Sequence, residues 1–454
     1  MSSSPTTTTS SSSFSFSASS FSFGRLFSTT SGDDEPPSGL LMAAAEGLRV
    51  VDLHRPKALN ALNAEMVSTL LPLLKDWEQP DGDVKMVVIR GSGPKAFCAG
   101  GDIRFLHDCA VGKDGLSIPM AEAFFREEYA MNHALGTMSL PVVSLCDGIV
   151  MGGGVGISVH GKVRVATENT LFAMPETGIG FFPDVGGTYF LPRLPGGLAV
   201  GIYLGLTGAR LSGRDVASAG VATHFVSANR IEQLEGVLAE LAKGALMRDG
   251  PGGQGGAAGE GGGGGGGGGG GETGQLETTL DKALKSLDRV DTSTFTYGEL
   301  AAKDSFLATH AAEIQHCFGE PGLTVGDIKA RVNELAAAQA KQQQQQEAAA
   351  GGEPAAGATW AVRAAKELAN ASPTSLAVTL EALRRGAAMP DLGACLEMEY
   401  RIAQRFLRCP DFVNGVNAIL TRSRDGLEWG VPPVEGSAEL EEFFTDVYGG
   451  GLEL

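Results

Sequence analysis

Basic residues are scarce in this chain: 35 Lys and Arg stand against 53 Asp and Glu, a formal net charge of −18. A nucleic-acid binder normally carries a basic face, so that partner is excluded on charge. An anionic ligand would need a few clustered cations working locally against the overall field. Cysteine is also sparse. The six thiols, Cys98, Cys109, Cys146, Cys317, Cys395 and Cys409, include no C-x-x-C pair, and most lie in apolar or helical contexts. That pattern reads as reduced, structural cysteine. With seven scattered His and no H-E-x-x-H, a metal site has no support. No apolar run approaches the ~20 residues that cross a bilayer, so no membrane partner is expected.

What is present divides the chain unevenly. Residues 1–35 are rich in Ser, Thr and Phe, with a lone Arg25 and no acid before Asp33, the composition of an organelle transit peptide. Gly24-Arg25-Leu26-Phe27-Ser28-Thr29 resembles a mitochondrial cleavage signal, with a plastid as the alternative destination. A run of glycine from Gly261 to Gly271 and a run of glutamine from Gln342 to Gln346 mark two low-complexity stretches. Gly-rich chain loses too much entropy on ordering to fold without apolar burial. Both stretches, 248–275 and 338–358, are therefore expected to be solvated linkers. They separate a core of 45–245, a helical segment of 276–337 and a helical C-terminal region of 359–448.

In the core, β-rich runs alternate with helical patterns, the signature of an α/β fold. Met86 to Ile89 and Pro141 to Cys146 read as short strands running into Gly-rich turns. Asn63 is placed to cap a helix whose Met66, Leu70, Leu73, Leu74 and Trp77 share one face, and Pro72 inside it predicts a break or kink. Further on, Met398, Ile402 and Phe406 form a stripe that reads as packing.

Three segments carry chemistry. Lys95-Ala96-Phe97-Cys98-Ala99-Gly100-Gly101-Asp102 and Met151-Gly152-Gly153-Gly154-Val155-Gly156 are turns in which main-chain N–H groups can approach a ligand closely. Neither is a P-loop or a dinucleotide fingerprint, since G-K-[ST] and G-x-G-x-x-G are both missing. Such a turn suits an oxyanion, although a Gly triplet alone also serves as a packing turn. The third segment runs from Leu171 to Gly187 and sets two carboxylates, Glu176 and Asp184, among Phe, Met, Ile and Gly. Apolar surroundings raise a carboxyl pKa and prepare acids and bases. The competing reading makes Asp184 a helix cap after Pro183 and Glu176 a solvent-facing turn residue.

At these residues the chain resembles the crotonase superfamily, over 47–225 in register and 370–432 more loosely. Arg55-Pro56-Lys57-Ala58-Leu59-Asn60-Ala61-Leu62 is similar to the segment that holds CoA there, and the Ala99 and Gly153 turns to its two-donor oxyanion hole. Hydratases of the superfamily carry a catalytic Glu where this chain has Gly156. The runs Phe124 to Tyr129, Met174-Pro175-Glu176-Thr177, Phe182 to Gly187, Ser372 to Leu376 and Met398-Glu399-Tyr400-Arg401 resemble the 3-hydroxyisobutyryl-CoA hydrolase family in particular. Asn414 and Asn417 depart from its usual acid and Arg, and Thr188 stands in place of a third Gly.

The resemblance implies a ββα spiral superhelix and hydrolysis of 3-hydroxyisobutyryl-CoA, with 3-hydroxypropionyl-CoA as a second substrate, in valine catabolism. Ala99 and Gly153 would form the oxyanion hole, and Glu176 would act as nucleophile or as general base. Asp184 would orient the 3-hydroxyl or the attacking water, and Glu128 would line the acyl pocket. Lys57, Ala58 and Leu59 would meet CoA, with Arg55 and Lys95 as weaker candidates. No cofactor is implied, because CoA is part of the substrate. The partners implied are the acyl-CoA and further copies of the chain, in a trimer-based assembly. Two alternatives stay open: an isomerase-type activity using Glu176 on a carbon acid, and a structural subunit of a mitochondrial ribosome.

Overall fold

A computed structural model describes residues 23, 36, 38–79, 82–249, 270–288, 305–350, 359–446, 448–449 and 451–454. Apart from Phe23, the expected transit peptide lies outside them.

Among the described residues, ten strands form two sheets. The larger has the order β1 (Leu40–Ala45), β2 (Leu48–Leu53), β3 (Met86–Gly91), β5 (Val142–Cys146), β7 (Val163–Ala166), β10 (His224–Phe225). Only the β1–β2 pair in it is antiparallel. The smaller has β4 (Ala96–Cys98), β6 (Ile149–Met151) and β8 (Leu171–Ala173) in parallel, with β9 (Leu211–Ser212) antiparallel at its edge. From β3 to β8 chain order alternates between the sheets. Each of β3, β5 and β7 feeds a short partner, β4, β6 and β8, which ends at a turn. This is the expected ββα spiral, and the three chemistry-bearing turns stand together because they leave three neighbouring parallel strands at the same end.

Helices fill the spaces between turns of the spiral: α1 (Ala64–Trp77), α2 (Ile103–Ala110), α3 (Ile118–Thr137), α4 (Gly153–Val159) and α5 (Gly197–Thr207). Asn63 caps α1, its side chain accepting from the Met66 N–H at 2.8 Å. The helix runs unbroken through Pro72, against the expected break. Met66, Val67, Leu70, Leu74 and Trp77 are all buried, and fully burying each such side chain is worth roughly 1.5–3 kcal/mol. Together they outweigh the ~3 kcal/mol of a helical proline.

The outer face of the large sheet, with Val50, Val88, Val143 and Val165, is covered by α6 (Ile231–Asp249) and α7 (Gly270–Asp288). The Gly-rich linker is therefore shorter than expected at its C-terminal end. Helix begins by residue 270 because Leu276, Leu280 and Leu284 form a buried stripe. Residues 250–269 of that linker lie outside the described residues.

The C-terminal region is helical: α8 (Val325–Ala350), α9 (Trp360–Asn370), α10 (Pro373–Ala388), α11 (Leu392–Phe406) and α12 (Pro410–Thr421). The Gln tract is not a linker, since α8 passes straight through it. Alanine and glutamine are strong helix formers, and neither Gly nor Pro interrupts them before Gly351. Residues 351–358 lie outside the described residues.

Candidate active site

The turns after β4, β6 and β8 surround a cavity of about 420 Å³. Its walls include Ala99, Glu128, Gly153, Glu176 and Asp184, so the structure gathers five of the site residues named from the sequence, with Gly101 beside them. Apolar lining comes from Phe124, Phe125, Ile179, Phe181 and Phe412. The far wall, including Glu367 of α9 and Ile419 of α12, comes from the C-terminal helices.

Two main-chain donors face this space, and one differs from expectation. The Ala99 N–H is committed to the Leu59 carbonyl at 3.0 Å. It is therefore not free for a substrate oxygen, and Ala99 is corrected as a donor. The chain alternates beyond it: Gly100 O accepts from Leu62 N, and Asp102 N donates to Leu62 O. This leaves the Gly101 N–H turned the other way, with no acceptor among the described residues. Gly100 makes the reversal possible with φ +121°. Gly153 opens α4, where a first-turn N–H has no intrahelical acceptor. A Cβ built on Gly153 would lie 3.1 Å from the Gly101 nitrogen, so the two donors converge.

Three carboxyl groups meet the same space. Glu128 on α3 is 2% exposed, Glu176 6% and Asp184 5%. Glu128 Oε1 and Glu176 Oε2 have no hydrogen-bond partner, and an unpaired buried polar atom costs on the order of 1–3 kcal/mol. Both lie against the glycine turn: a Cβ on Gly153 would be 2.6 Å from Glu128 Oε1, and one on Gly152 3.0 Å from Glu176 Oε1. Asp184 is better served, its Oδ2 accepting from the Tyr129 hydroxyl at 2.8 Å.

Burial first, and the Asp184 charge second, holds the Glu128 and Glu176 carboxyls well above the ordinary carboxylate range. Burial pushes Asp184 up to about 7, against the lowering effect of the Tyr129 hydroxyl. Carboxyls this close and this dry share protons rather than ionise together. Neither bland reading of the sequence survives. Glu176 is buried, and the short helix Gly187–Phe190 is capped at Gly186 without a side-chain bond from Asp184.

The segment resembling a CoA grip forms a 3₁₀ turn at Pro56–Ala58 that exposes Lys57 and Ala58. Asn60 fixes it, its amide donating to Ser92 O at 2.9 Å and Ala96 O at 2.8 Å. Lys57, Ala58 and Leu59 do not line the cavity itself. Arg55 is held by Asp102 at 3.1 Å and by Ala61 O. Sequence reasoning missed Gly101, Tyr129, and the two cations on the cavity wall, Arg210 and Arg424. Tyr129 and Gly101 stood beside residues already singled out; for the arginines no local signal exists. Among the described residues, no three His, Cys, Asp or Glu side chains are grouped so as to hold a metal ion.

Gly156 occupies the place where hydratases carry a second Glu. A Cβ there would meet Val185 Cβ at 2.6 Å and the Asn132 amide at 3.0 Å, leaving no room for a longer side chain.

A family model described as enoyl-CoA hydratase/isomerase matches residues 48–250 and 271–443. The chain is similar to proteins named 3-hydroxyisobutyryl-CoA hydrolase, mitochondrial. That of Xenopus tropicalis is 38% identical, over 91% of this chain and 90% of its own length. That of Dictyostelium discoideum is 39% identical over 84% of each, and that of Homo sapiens 39% identical over 84% and 81%. Among solved structures, a carnitinyl-CoA dehydratase from Mycobacterium thermoresistibile superposes with a TM-score of 0.67. It is 32% identical and covers 90% of this chain and 97% of that one. An enoyl-CoA hydratase from Rhodobacter sphaeroides 2.4.1 gives 0.67 at 29% identity, over 92% and 100%. With a spiral of paired strands, converging turn amides and most of its length matched, the chain belongs to the enoyl-CoA hydratase/isomerase family, in its 3-hydroxyisobutyryl-CoA hydrolase branch.

Proposed function

We propose that this cavity hydrolyses 3-hydroxyisobutyryl-CoA to the free hydroxy acid and CoA, with 3-hydroxypropionyl-CoA as a second substrate. One observation carries the reading: two unengaged main-chain N–H groups and three buried carboxyls face a single apolar cavity of acyl-group size. The thioester oxygen is placed between the N–H groups of Gly101 and Gly153, which meet the negative charge that develops on attack. One such donor is typically worth ~3 kcal/mol of barrier. Glu176, beside that turn with an unpaired oxygen, either attacks the carbonyl to form a mixed anhydride or takes a proton from water. In both routes the acyl–sulfur bond breaks, water supplies the new hydroxyl, and the thiolate leaves with a proton.

Asp184 and Glu128, held toward their neutral forms, give the substrate's 3-hydroxyl both donors and acceptors. Gly156 supports hydrolysis over hydration, because the second carboxylate of a hydratase has no space there. The exposed Lys57, and Arg210 and Arg424 on the cavity wall, supply cations for the CoA phosphates in a chain of net charge −18. The relatives' names place them in mitochondria, and the Ser-rich, acid-poor leader agrees, so the protein is mitochondrial.

Glu176→Gln tests the scheme. Thiol release from 3-hydroxyisobutyryl-CoA is expected to fall by at least ~100-fold, with KM little changed. Near-normal turnover would remove Glu176 from the chemistry.

A further inference from the structure

Asp184 is aimed into the cavity by a turn that its own side chain does not hold. The next residue, Val185, has φ +52°, a conformation β-branched residues rarely adopt. Gly186 follows in the left-handed region, and the Gly187 N–H closes back on the Asp184 carbonyl at 2.7 Å. Strained backbone of this kind persists only where its surroundings fix it from several sides.

Two groups do so here. His160 Nε2 bonds the Val185 carbonyl at 2.8 Å, and burial holds that ring's pKa down to about 4, which keeps it neutral with the proton on Nε2. From α11, the fully buried Glu399 reaches the other side. Its Oε2 accepts from the Gly186 N–H at 2.7 Å, and its Oε1 accepts from the Thr188 N–H at 2.9 Å and the Thr188 hydroxyl at 2.6 Å. Glu399 does not line the cavity. Three donors converge on this one carboxyl group and bridge residues 186–188, their bonds working against the burial that pushes its pKa up to about 8.

We infer that Glu399 is a positioning residue for the thioesterase reaction, fixing the strained turn from Asp184 to Thr188 and thereby the direction in which the Asp184 carboxyl faces the acyl group. The inference rests on the reading of Asp184 as a substrate-facing carboxyl. A merely structural glutamate would tie α11 to the core and change stability alone.

The test is a cycle of wild type, Glu399→Gln, Asp184→Asn and the double variant, each measured for thiol release from 3-hydroxyisobutyryl-CoA and for Tm. Glutamine keeps the size of the side chain but turns one acceptor into a donor. We expect Glu399→Gln to lower kcat about 10-fold, as small misplacements of reacting groups do, with KM within about twofold. Added to Asp184→Asn it should cost nothing more, because both act through one group. Unchanged kcat in folded Glu399→Gln, or a full independent loss in the Asp184→Asn background, overturns the inference while leaving the Asp184 reading intact. Wild-type kcat in Asp184→Asn removes that reading and the inference together. If Glu399→Gln does not fold, Thr188→Val decides. It drops only the hydroxyl bond, so the same non-additive loss should appear at about threefold, and its absence overturns the inference equally.

Discussion

The carboxyl groups that suit this cavity to chemistry also weaken the fold, and the sign follows from their titration. Asp184 has its pKa pushed up to about 7 by burial, whereas in the unfolded chain it ionises near ~4. Below pH ~4 it is protonated in both states and contributes nothing to the pH dependence. Between ~4 and ~7 the unfolded chain releases the proton and the folded chain keeps it, so stability falls as pH rises. Asp184→Asn removes this penalty. Its Tm should match wild type near pH 4 and exceed it by roughly 2 °C or more at pH 7, as a thermal melt at each pH would show. A constant difference across that range would mean that the carboxyl is not held neutral.

How far single residues were legible depended on what defined them. Glu176 and Asp184 could be found because composition alone surrounds them with apolar side chains, whereas Glu128, next to Arg126 and Glu127, was reached only through the resemblance of its segment. The donor beside Gly153 could not be placed to the residue: whether Ala99 or Gly101 presents its N–H depends on which edge pairs with Leu59–Leu62, and on the peptide turned over at Gly100. Neither is written in local sequence. Arg210 and Arg424 come to the wall only through tertiary packing.

At the scale of elements, periodicity located α1, which buries one face, and a short apolar run located β3, which is buried on both faces. Periodicity failed where composition suggested freedom. The Gln tract reads as low complexity, yet α8 carries it as helix, with Gln342, Gln344 and Gln345 exposed, beyond the packed stripe of Ile328, Val332 and Ala336. The two parts of that helix should respond differently to substitution. Gln344→Pro breaks a turn with no buried side chain at that position, so Tm is expected to move by less than about 2 °C and activity to stay unchanged. Val332→Ala leaves a cavity in the packed part and should cost roughly 1–3 kcal/mol, read as the shift of a denaturant midpoint. Equal costs would mean that the helix is stabilised along its whole length. Ser372 shows the converse. Its motif was visible, but not its purpose: the Ser372 N–H donates to Thr177 O at 3.0 Å and its hydroxyl caps α10, tying the Glu176 turn to a helix about 200 residues away in sequence.

The whole molecule closes the cavity by bringing its C-terminal helices into backbone contact with the turn that carries Glu176. A Cβ on Gly415 of α12 would lie 2.3 Å from the Ile179 carbonyl oxygen, and one on Gly180 2.1 Å from that of Asp411. Both obstacles are main chain, which cannot swing aside as a side chain could. Phe412 and Ile419 of the same helix line the cavity, so its distance from the turn sets both the fold's closure and the width of the acyl site. The family departures at Asn414 and Asn417 do not disturb this approach, because the small residue between them is what permits it. Gly415→Ala should therefore push α12 off the Glu176 turn. Overpacking of this kind costs typically ~1–3 kcal/mol, and kcat for 3-hydroxyisobutyryl-CoA is expected to drop about 10-fold from the displaced wall. Gly244→Ala is the matched comparison: that glycine is also helical, a Cβ there meets nothing within 4 Å, and the change should leave activity intact while stabilising by up to ~1 kcal/mol. Thermal melts and steady-state kinetics on the two alanine variants separate the effects, and a fully active, equally stable Gly415→Ala would show that the helix and the turn do not need to touch.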